Sequence, residues 1–537
     1  MNELQKKLYQ LLTEIDEICN RNQIVYYLAA GGALGAVRNG GFLPWDDDLD
    51  LYVTRNNWEK LRSVIYAELP DNRDFVCEED TALYFNPVGR YVNRETTLMM
   101  KSQLLCGRCC GVMIEFFILD PMPVDSRENW KHRQYMKVYT ELLTPYFVLN
   151  KYYTQDNKDF DIRLYNRFYL KSRLTGRRRV LRQLKEKITS FPEQDCREYC
   201  ICWGGRTIVI EKEMIGSARL EVFEGKQFPI LELIEKTFRI GYGDDWMYVP
   251  ERDAQESHDS SKDLNRPFQR YVDLYRPLLD QRNLLKSYEK IKQKTVRAIG
   301  LRTAYQRQFT RAKAEIAAKH IRRQSDLTML HRLLEENHLD ALAEHLTYFF
   351  EMQFEDDIKR ERISIPVSDK YLYIAAMYQI LKGCYYKADL IIALREETAE
   401  PIGDELTEVK DMIHICRAFS EAVYDDKDVD KVQVLLTEYA GCERRLIDYS
   451  LAKLWALKQQ ADCDEAYRFL VHTARDCIDR FGRNGELISY EAYGLYRLGF
   501  ADEAQKQYAE AASRTRNGFV WKEAKELFGI DMYDDAG

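Results

Sequence analysis

Residues 46–50 read Asp-Asp-Asp-Leu-Asp, and the spacing of these carboxylates is the feature of this 537-residue chain best suited to chemistry. Successive side chains of an extended strand point to opposite faces, so Asp46, Asp48 and Asp50 share one face while Leu49, Leu51 and Val53 share the other. The apolar set can anchor in a core, and the acidic set then lines an opening. Three carboxylates on one face repel one another unless a cation neutralises them, and hard oxygen donors suit Mg²⁺ or Mn²⁺. A divalent ion held by Asp48 and Asp50 would suit transfer of a phosphoryl-type group.

The preceding residues must position that acidic run. IVYYLA (24–29) has the β-branched and aromatic content of a buried strand, and Gly31-Gly32 follows where the backbone is expected to turn tightly and let a phosphate approach. ALGAVR (33–38) reads as one or two helical turns whose first N–H groups would face an anion, with Asn39-Gly40-Gly41 closing it. An acidic run alone is usually a solvated loop, and a Gly-Gly pair alone carries little weight. Their combination within about thirty residues, with apolar residues alternating through the aspartates, is what singles the segment out. The order strand, Gly-Gly, short helix, acidic strand is the pattern of the nucleotidyltransferase superfamily.

Residues 28–53, LAAGGALGAVRNGGFLPWDDDLDLYV, closely resemble the signature of the LicD family, enzymes related to the fukutin group within that superfamily. The match falls on Gly31, Leu34, Gly35, Ala36, Val37, Arg38, Gly41, Phe42, Pro44, Trp45, Asp46, Asp47, Asp48 and Asp50. Gly32 departs from it, standing where relatives carry a hydroxyl, so any phosphate contact made by that hydroxyl falls here to backbone or water. Downstream, GRYVNRETT (89–97) is similar to the family's basic strand, and GVMIEFFILDPMP (111–123) to a second acidic strand in which Glu115 replaces the usual aspartate. The resemblance implies that Glu115 completes the metal site or takes a proton from the acceptor hydroxyl, whereas Asp120 is expected to cap the following turn. A third block matches at Phe223, Glu224, Gly225, Tyr242, Gly243, Asp244, Pro250 and His258. Glu224, Tyr242 and His258 join the expected substrate-binding set on that ground alone, together with Gly31, Gly32 and Asp47. Arg38, Arg90 and Arg94 are the expected phosphate contacts, their guanidinium forks matching phosphate oxygens. For Trp45 and Tyr91, core packing is favoured over stacking on a base.

The family implies transfer of a phospho-alcohol, of which phosphocholine from CDP-choline is the type case, to a hydroxyl of a cell-surface glycan or teichoic-acid-like polymer. Choline, ethanolamine, ribitol and glycerol are all compatible alcohols. The contrasting reading is a nucleotidyltransferase-fold scaffold acting through its other half, and nucleotidyl transfer is a third within the same fold. Retention of Asp48 and Asp50 favours the enzyme, because carboxylates that repel one another without a metal would be dispensable to a scaffold.

The chain is long enough for more than one core, and 45% apolar content is ample for globular folding. The expected organisation is an α+β nucleotidyltransferase-fold catalytic domain over 1–265, a mixed sheet with flanking helices and a basic helical insertion near 125–200. A basic helical linker over 266–330 and an all-helical domain over 331–537 follow. Within the last, 451–476 and 489–515 echo a tetratricopeptide-like helix pair. A net charge of −8 argues against bulk nucleic-acid binding. Residues 163–187 and 282–323 are nonetheless rich in Lys and Arg; such runs are most often solvated helix faces, and otherwise meet anionic lipid headgroups, an anionic polymer or a protein partner. Residues 1–22 read as an amphipathic helix rather than a signal peptide, and no apolar run approaches the roughly 18 residues of a membrane span. Cytoplasmic placement, peripheral to the inner face of a membrane, is the expectation. Thirteen cysteines fit a reducing compartment. Cys106, Cys109 and Cys110 could with Cys196, Cys200 and Cys202 close a structural zinc site, against which stand their irregular spacing and the lack of a nearby histidine, and His331, His338 and His345 read as surface residues rather than a metal face.

Overall fold

The computed structural model describes residues 1–99, 106–143, 160–203, 206–250, 255, 261–278, 286, 326–351, 368–396 and 402–531. The chain divides into two compact units, one of Met1–Gly241 with Glu251–Leu301 and one of Tyr242–Pro250 with Arg302–Gly537. His258 and the basic run over 287–323 lie outside the described residues.

The first unit is built on a seven-stranded mixed sheet. Its opening elements are helix α1 (Glu3–Arg21), strand β1 (Tyr27–Ala29), helix α2 (Ala30–Asn39), strand β2 (Asp50–Thr54) and helix α3 (Arg55–Glu68). Strands β3 (Arg73–Val76), β4 (Gly89–Asn93), β5 (Thr97–Met99) and β6 (Met113–Pro121) follow. The strand order is β1-β2-β6-β4-β3, with β2 and β6 parallel and the neighbouring pairs antiparallel. Strand β7 (Glu198–Trp203) pairs antiparallel with the end of β6 and with β8 (Arg206–Glu211). Helices α4 (Ser126–Leu143), α5 (Ile162–Thr175) and α6 (Arg177–Ile188) share a core in which Met136, Val138, Leu142, Val180, Leu184 and Cys200 are buried.

The expected amphipathic helix is α1, started by a capping box in which Asn2 accepts from Gln5 N and Gln5 accepts from Asn2 N. Its apolar stripe, Leu8, Leu11, Leu12 and Ile15, is fully buried. Under the sheet, Trp58, Phe75 and Phe116 meet at centroid distances of 5.6–6.1 Å. Gly89 makes this possible, since a Cβ there would collide with the Trp58 ring. Asp120 does not cap the turn after β6. It is buried and takes a bidentate ion pair from Arg55, at 2.7 Å from Nε and 3.0 Å from Nη2, while Asp125 makes the turn contacts with the amides of Arg127 and Glu128. A carboxylate that sits inside the sheet needs a buried partner more than a solvated turn does.

A short helix α7 (Lys212–Ile215) leads to the hairpin of β9 (Arg219–Phe223) and β10 (Lys226–Ile230), followed by helix α8 (Ile234–Tyr242). Glu224 and Gly225 both take positive φ, at 51° and 83°, the signature of a two-residue primed turn. Strand β11 (Ser261–Asp263) pairs with β5, and helix α9 (Gln269–Tyr275) comes next.

From Leu327 on, the described part of the second unit is helical: α10 (Leu327–Glu335), α11 (Leu339–Glu351), α12 (Asp369–Leu381), α13 (Tyr385–Glu396), α14 (Asp404–Ser420), α15 (Val429–Glu438), α16 (Ile447–Gln460), α17 (Asp464–Phe481), α18 (Gly485–Arg497), α19 (Ala501–Arg514) and α20 (Gly518–Phe528). Consecutive helices pack on one another, and Gly494 lets α18 approach α17 so closely that a Cβ would lie 2.6 Å from Val471 Cγ2. Both fold classes expected from sequence, a mixed sheet with flanking helices and then an all-helical region, are present. Among the described residues no helix is long and apolar enough to cross a membrane.

Candidate active site

The acidic segment enters the sheet at Asp50, the first residue of β2, with Asp46–Leu49 forming the approach. Side-chain parity holds: Leu49, Leu51 and Val53 are buried, whereas Asp46, Asp48 and Asp50 keep partial exposure. Because β2 and β6 run parallel, Asp50 stands directly opposite Glu115, and Glu115 stands opposite Arg90 of β4. Adjacent strands lie about 4.8 Å apart, so paired residues on one face bring their side chains together. The Glu115 amide donates to Leu49 O at 3.1 Å, fixing that register.

Arg90 is buried and donates from Nε to Glu115 Oε1 at 2.7 Å. Burial alone would pull its guanidinium down, but the Glu115 carboxylate more than offsets this and keeps it charged. Asp50 has no such partner. Its Oδ1 is sealed from solvent without a hydrogen bond among the described residues. Burial, followed by the charges of Asp48, Glu115 and Asp46, pushes its carboxyl well above the usual range, and Arg90 offsets only part of this.

The glycine pair does not form the expected turn; both residues lie in the first turn of α2. What they supply is close approach. A Cβ at Gly31 would collide with Asp46 Oδ2, and one at Gly32 would come within 2.6 Å of Leu49 Cδ1. The chain reverses one residue earlier, at Ala30, whose φ of 43° is in the left-handed region that side chains other than glycine seldom adopt. At its other end α2 closes on Gly40 with φ of 70°, the Gly40 and Gly41 amides returning to Ala36 O and Gly35 O.

Two residues hold the loop between α2 and β2. Glu224, in the hairpin turn, accepts from Phe42 N at 3.0 Å and donates its own amide to Gly40 O at 2.9 Å, so its contacts are with the chain rather than with an opening. Gln5, which sequence reasoning did not single out, is buried and donates from Nε2 to both Leu43 O and Asp46 O at 3.1 Å. The capping box that marks it shows where α1 begins, not where the far side of the amide points.

The remaining candidates separate. Arg38 is buried in the last turn of α2 with 2% exposure, and Asp47 is half-buried beside the other aspartates. Arg94 is exposed past the end of β4 and donates to Asp71 O, away from the Arg90–Glu115 pair. Tyr242 is exposed and belongs to the second unit. Tyr91 is fully buried and donates to Glu14, as core packing requires, and Trp45 is half-buried.

Among the described residues no three His, Cys, Asp or Glu side chains are grouped to hold a metal ion together, neither the cysteines nor Asp48, Asp50 and Glu115. Glu115 is already engaged by Arg90. The half-buried pair Asp48 and Asp50 is nevertheless the donor chemistry that Mg²⁺ uses when it keeps waters and takes its other oxygens from a substrate's phosphates. The unpartnered, sealed Oδ1 of Asp50 fits that role.

Residues 23–146 match the family model described as LicD/FKTN/FKRP, nucleotidyltransferase domain. Over this stretch the chain is similar to the LicD family, as its motifs imply. It is also similar, at 23% identity over 275 residues, to the lipopolysaccharide cholinephosphotransferase LicD of Haemophilus influenzae, covering 48% of this chain and 96% of that protein. A shorter match, 38% identical over 58 residues, is to the uncharacterized protein RP689 of Rickettsia prowazekii, covering 11% of this chain and 22% of that one. The LicD match spans the segment from β1 through the end of α4 and so includes every carboxylate of the cluster.

Proposed function

We propose that the chain transfers a phospho-alcohol of the phosphocholine type from a CDP-alcohol donor to a hydroxyl of a cell-surface glycan or teichoic-acid-like polymer, releasing CMP. The supporting observation is the half-buried Asp50 carboxyl, one oxygen sealed without a hydrogen bond among the described residues, set against Asp48 and Asp46 and opposite the Arg90–Glu115 pair, within a LicD-like domain. The similarity to a protein named for cholinephosphotransfer on lipopolysaccharide favours that donor and acceptor class.

In this reading the acceptor oxygen attacks the phosphorus bearing the alcohol, the bond from that phosphorus to the bridging oxygen breaks, and CMP leaves with the electron pair. Mg²⁺ or Mn²⁺, held by Asp48 and Asp50 when bound, supplies neutralisation of the charge that accumulates on the diphosphate. Arg90 adds a fixed positive charge beside it, and its pairing with Glu115 sets the guanidinium's orientation. The acceptor's proton goes to a carboxylate of the cluster; Glu115, engaged by Arg90, is better placed to orient than to accept it. Gly31 and Gly32 keep the first turn of α2 close to the acidic segment, and Gln5 and Glu224 fix the loop between them.

Binding of CDP, CDP-choline, CDP-ribitol, UDP and ADP, with and without Mg²⁺, tests this without knowledge of the acceptor. Cytidine-selective, Mg²⁺-dependent binding is expected in the intact chain and is lost in Asp48→Ala and Asp50→Ala. No nucleotide binding under any condition would instead favour a scaffold role for this fold.

A further inference from the structure

Between Asp161 and Glu186 the sequence contains no acidic residue. The structure folds this stretch into α5 and α6, joined through Gly176, whose φ of 89° turns the chain in open space. One side of the pair is committed to the protein: Val180, Leu181, Leu184 and Ile188 of α6 are buried, as is Phe168 of α5. The other side is not. Arg163, Arg167, Leu170, Lys171 and Leu174 are all exposed and recur at the spacing that places residues on one face of a helix. Arg178, Arg179 and Arg182 of α6 are exposed too. Among the described residues none of these six cations forms an ion pair, whereas Lys185, on the committed side, pairs with Glu79 at 2.8 Å.

The leucines decide what such a face fits. Leu170 is 62% and Leu174 86% exposed, set among cations rather than in a core. Solvated helix faces do not need them, and a polyanionic chain would gain nothing from them. An interface that is anionic at its surface and apolar just beneath engages both kinds of side chain, the leucines entering the acyl boundary while the guanidinium groups stay with the headgroups. We propose that the exposed face of α5 and α6 docks the chain on an anionic lipid bilayer. With a net charge of −8 the chain as a whole gains nothing from such a bilayer, so attraction depends on a local basic face such as this one. The inference is independent of the reading of the acidic site.

Co-sedimentation of the full chain with phosphatidylcholine vesicles, with and without phosphatidylserine, tests it. Binding is expected only to the anionic vesicles. Combined Arg178→Gln, Arg179→Gln and Arg182→Gln should weaken it roughly a hundredfold, and Leu170→Ser with Leu174→Ser about tenfold or more. All five positions are exposed, so circular dichroism should be unchanged. Asp50→Ala should bind vesicles as the parent does, which separates failure here from failure of the transferase reading. Absent binding, equal binding to neutral vesicles, or a leucine variant that binds as the parent while soluble polyphosphate competes fully would overturn the proposal, the last in favour of a polymer-binding face.

Discussion

At the scale of single residues, the site is a balance of charges that the fold leaves unsettled. Glu115 and Arg90 satisfy one another, but Asp50 faces three other carboxylates with one oxygen sealed and partnerless. Such an arrangement costs folding free energy, and in the proposed reading a bound divalent cation relieves that cost. Asp50→Asn removes the charge at constant shape, so without divalent ions the variant should be more stable than the parent, by about 1 kcal/mol, while CMP release is abolished. Adding Mg²⁺ should raise the unfolding temperature of the parent and not of the variant. A destabilised Asp50→Asn protein would mean that the carboxylate is structural and that the repulsion is already relieved.

At the scale of elements, the positioning of that charge rests on α2 lying close over the acidic segment. Gly31 is helical, so Ala would suit its backbone and on propensity alone favour the helix by roughly 0.5–1 kcal/mol. The added Cβ, however, would meet Asp46. Gly31→Ala should therefore keep helical content and weaken nucleotide binding at least about tenfold, read by circular dichroism and by titration with CDP-choline; unchanged affinity would show that Asp46 can move without consequence. The sequence carried part of this arrangement and not the rest, for definite reasons. Alternation of Leu49, Leu51 and Val53 with the aspartates revealed which residues share a face, because strand parity is local. That Asp50 stands opposite Glu115 is a matter of register between strands far apart in the chain, and it became readable only through the family's motif. Gly-Gly reads as a turn because the local signal for a turn and for close packing is the same residue. Asp120 reads as a cap because nothing local signals Arg55, and Gln5 and Glu224 reach the loop from distant parts of the sequence.

At the scale of the whole molecule, the division into two units means that stability and chemistry can change separately. The helical unit contains its own buried acids. Glu486 accepts from Tyr248 at 2.7 Å, Tyr424 at 3.1 Å and Asn517 at 2.9 Å, and burial raises its carboxyl above the usual range. Asp448 is pushed up to about 7 by burial, with Glu486 adding to the shift, and its Oδ2 has no hydrogen bond among the described residues. An unfolded aspartate releases its proton near 3.8, so between that pH and about 7 the folded chain binds a proton that the unfolded chain does not. Stability from this group is complete at low pH, falls as pH rises through that window and is level above it. Asp448→Asn should match the parent near pH 4 and exceed it at pH 8 by roughly 2–4 kcal/mol, with a shallower though not flat pH dependence because Glu486 still titrates. Urea unfolding across this range measures the difference. Since Asp448 belongs to the second unit and the carboxylate cluster to the first, CMP release at pH 8 should be the same in both proteins; parallel pH profiles of stability would show instead that Asp448 is ionised in the folded state throughout.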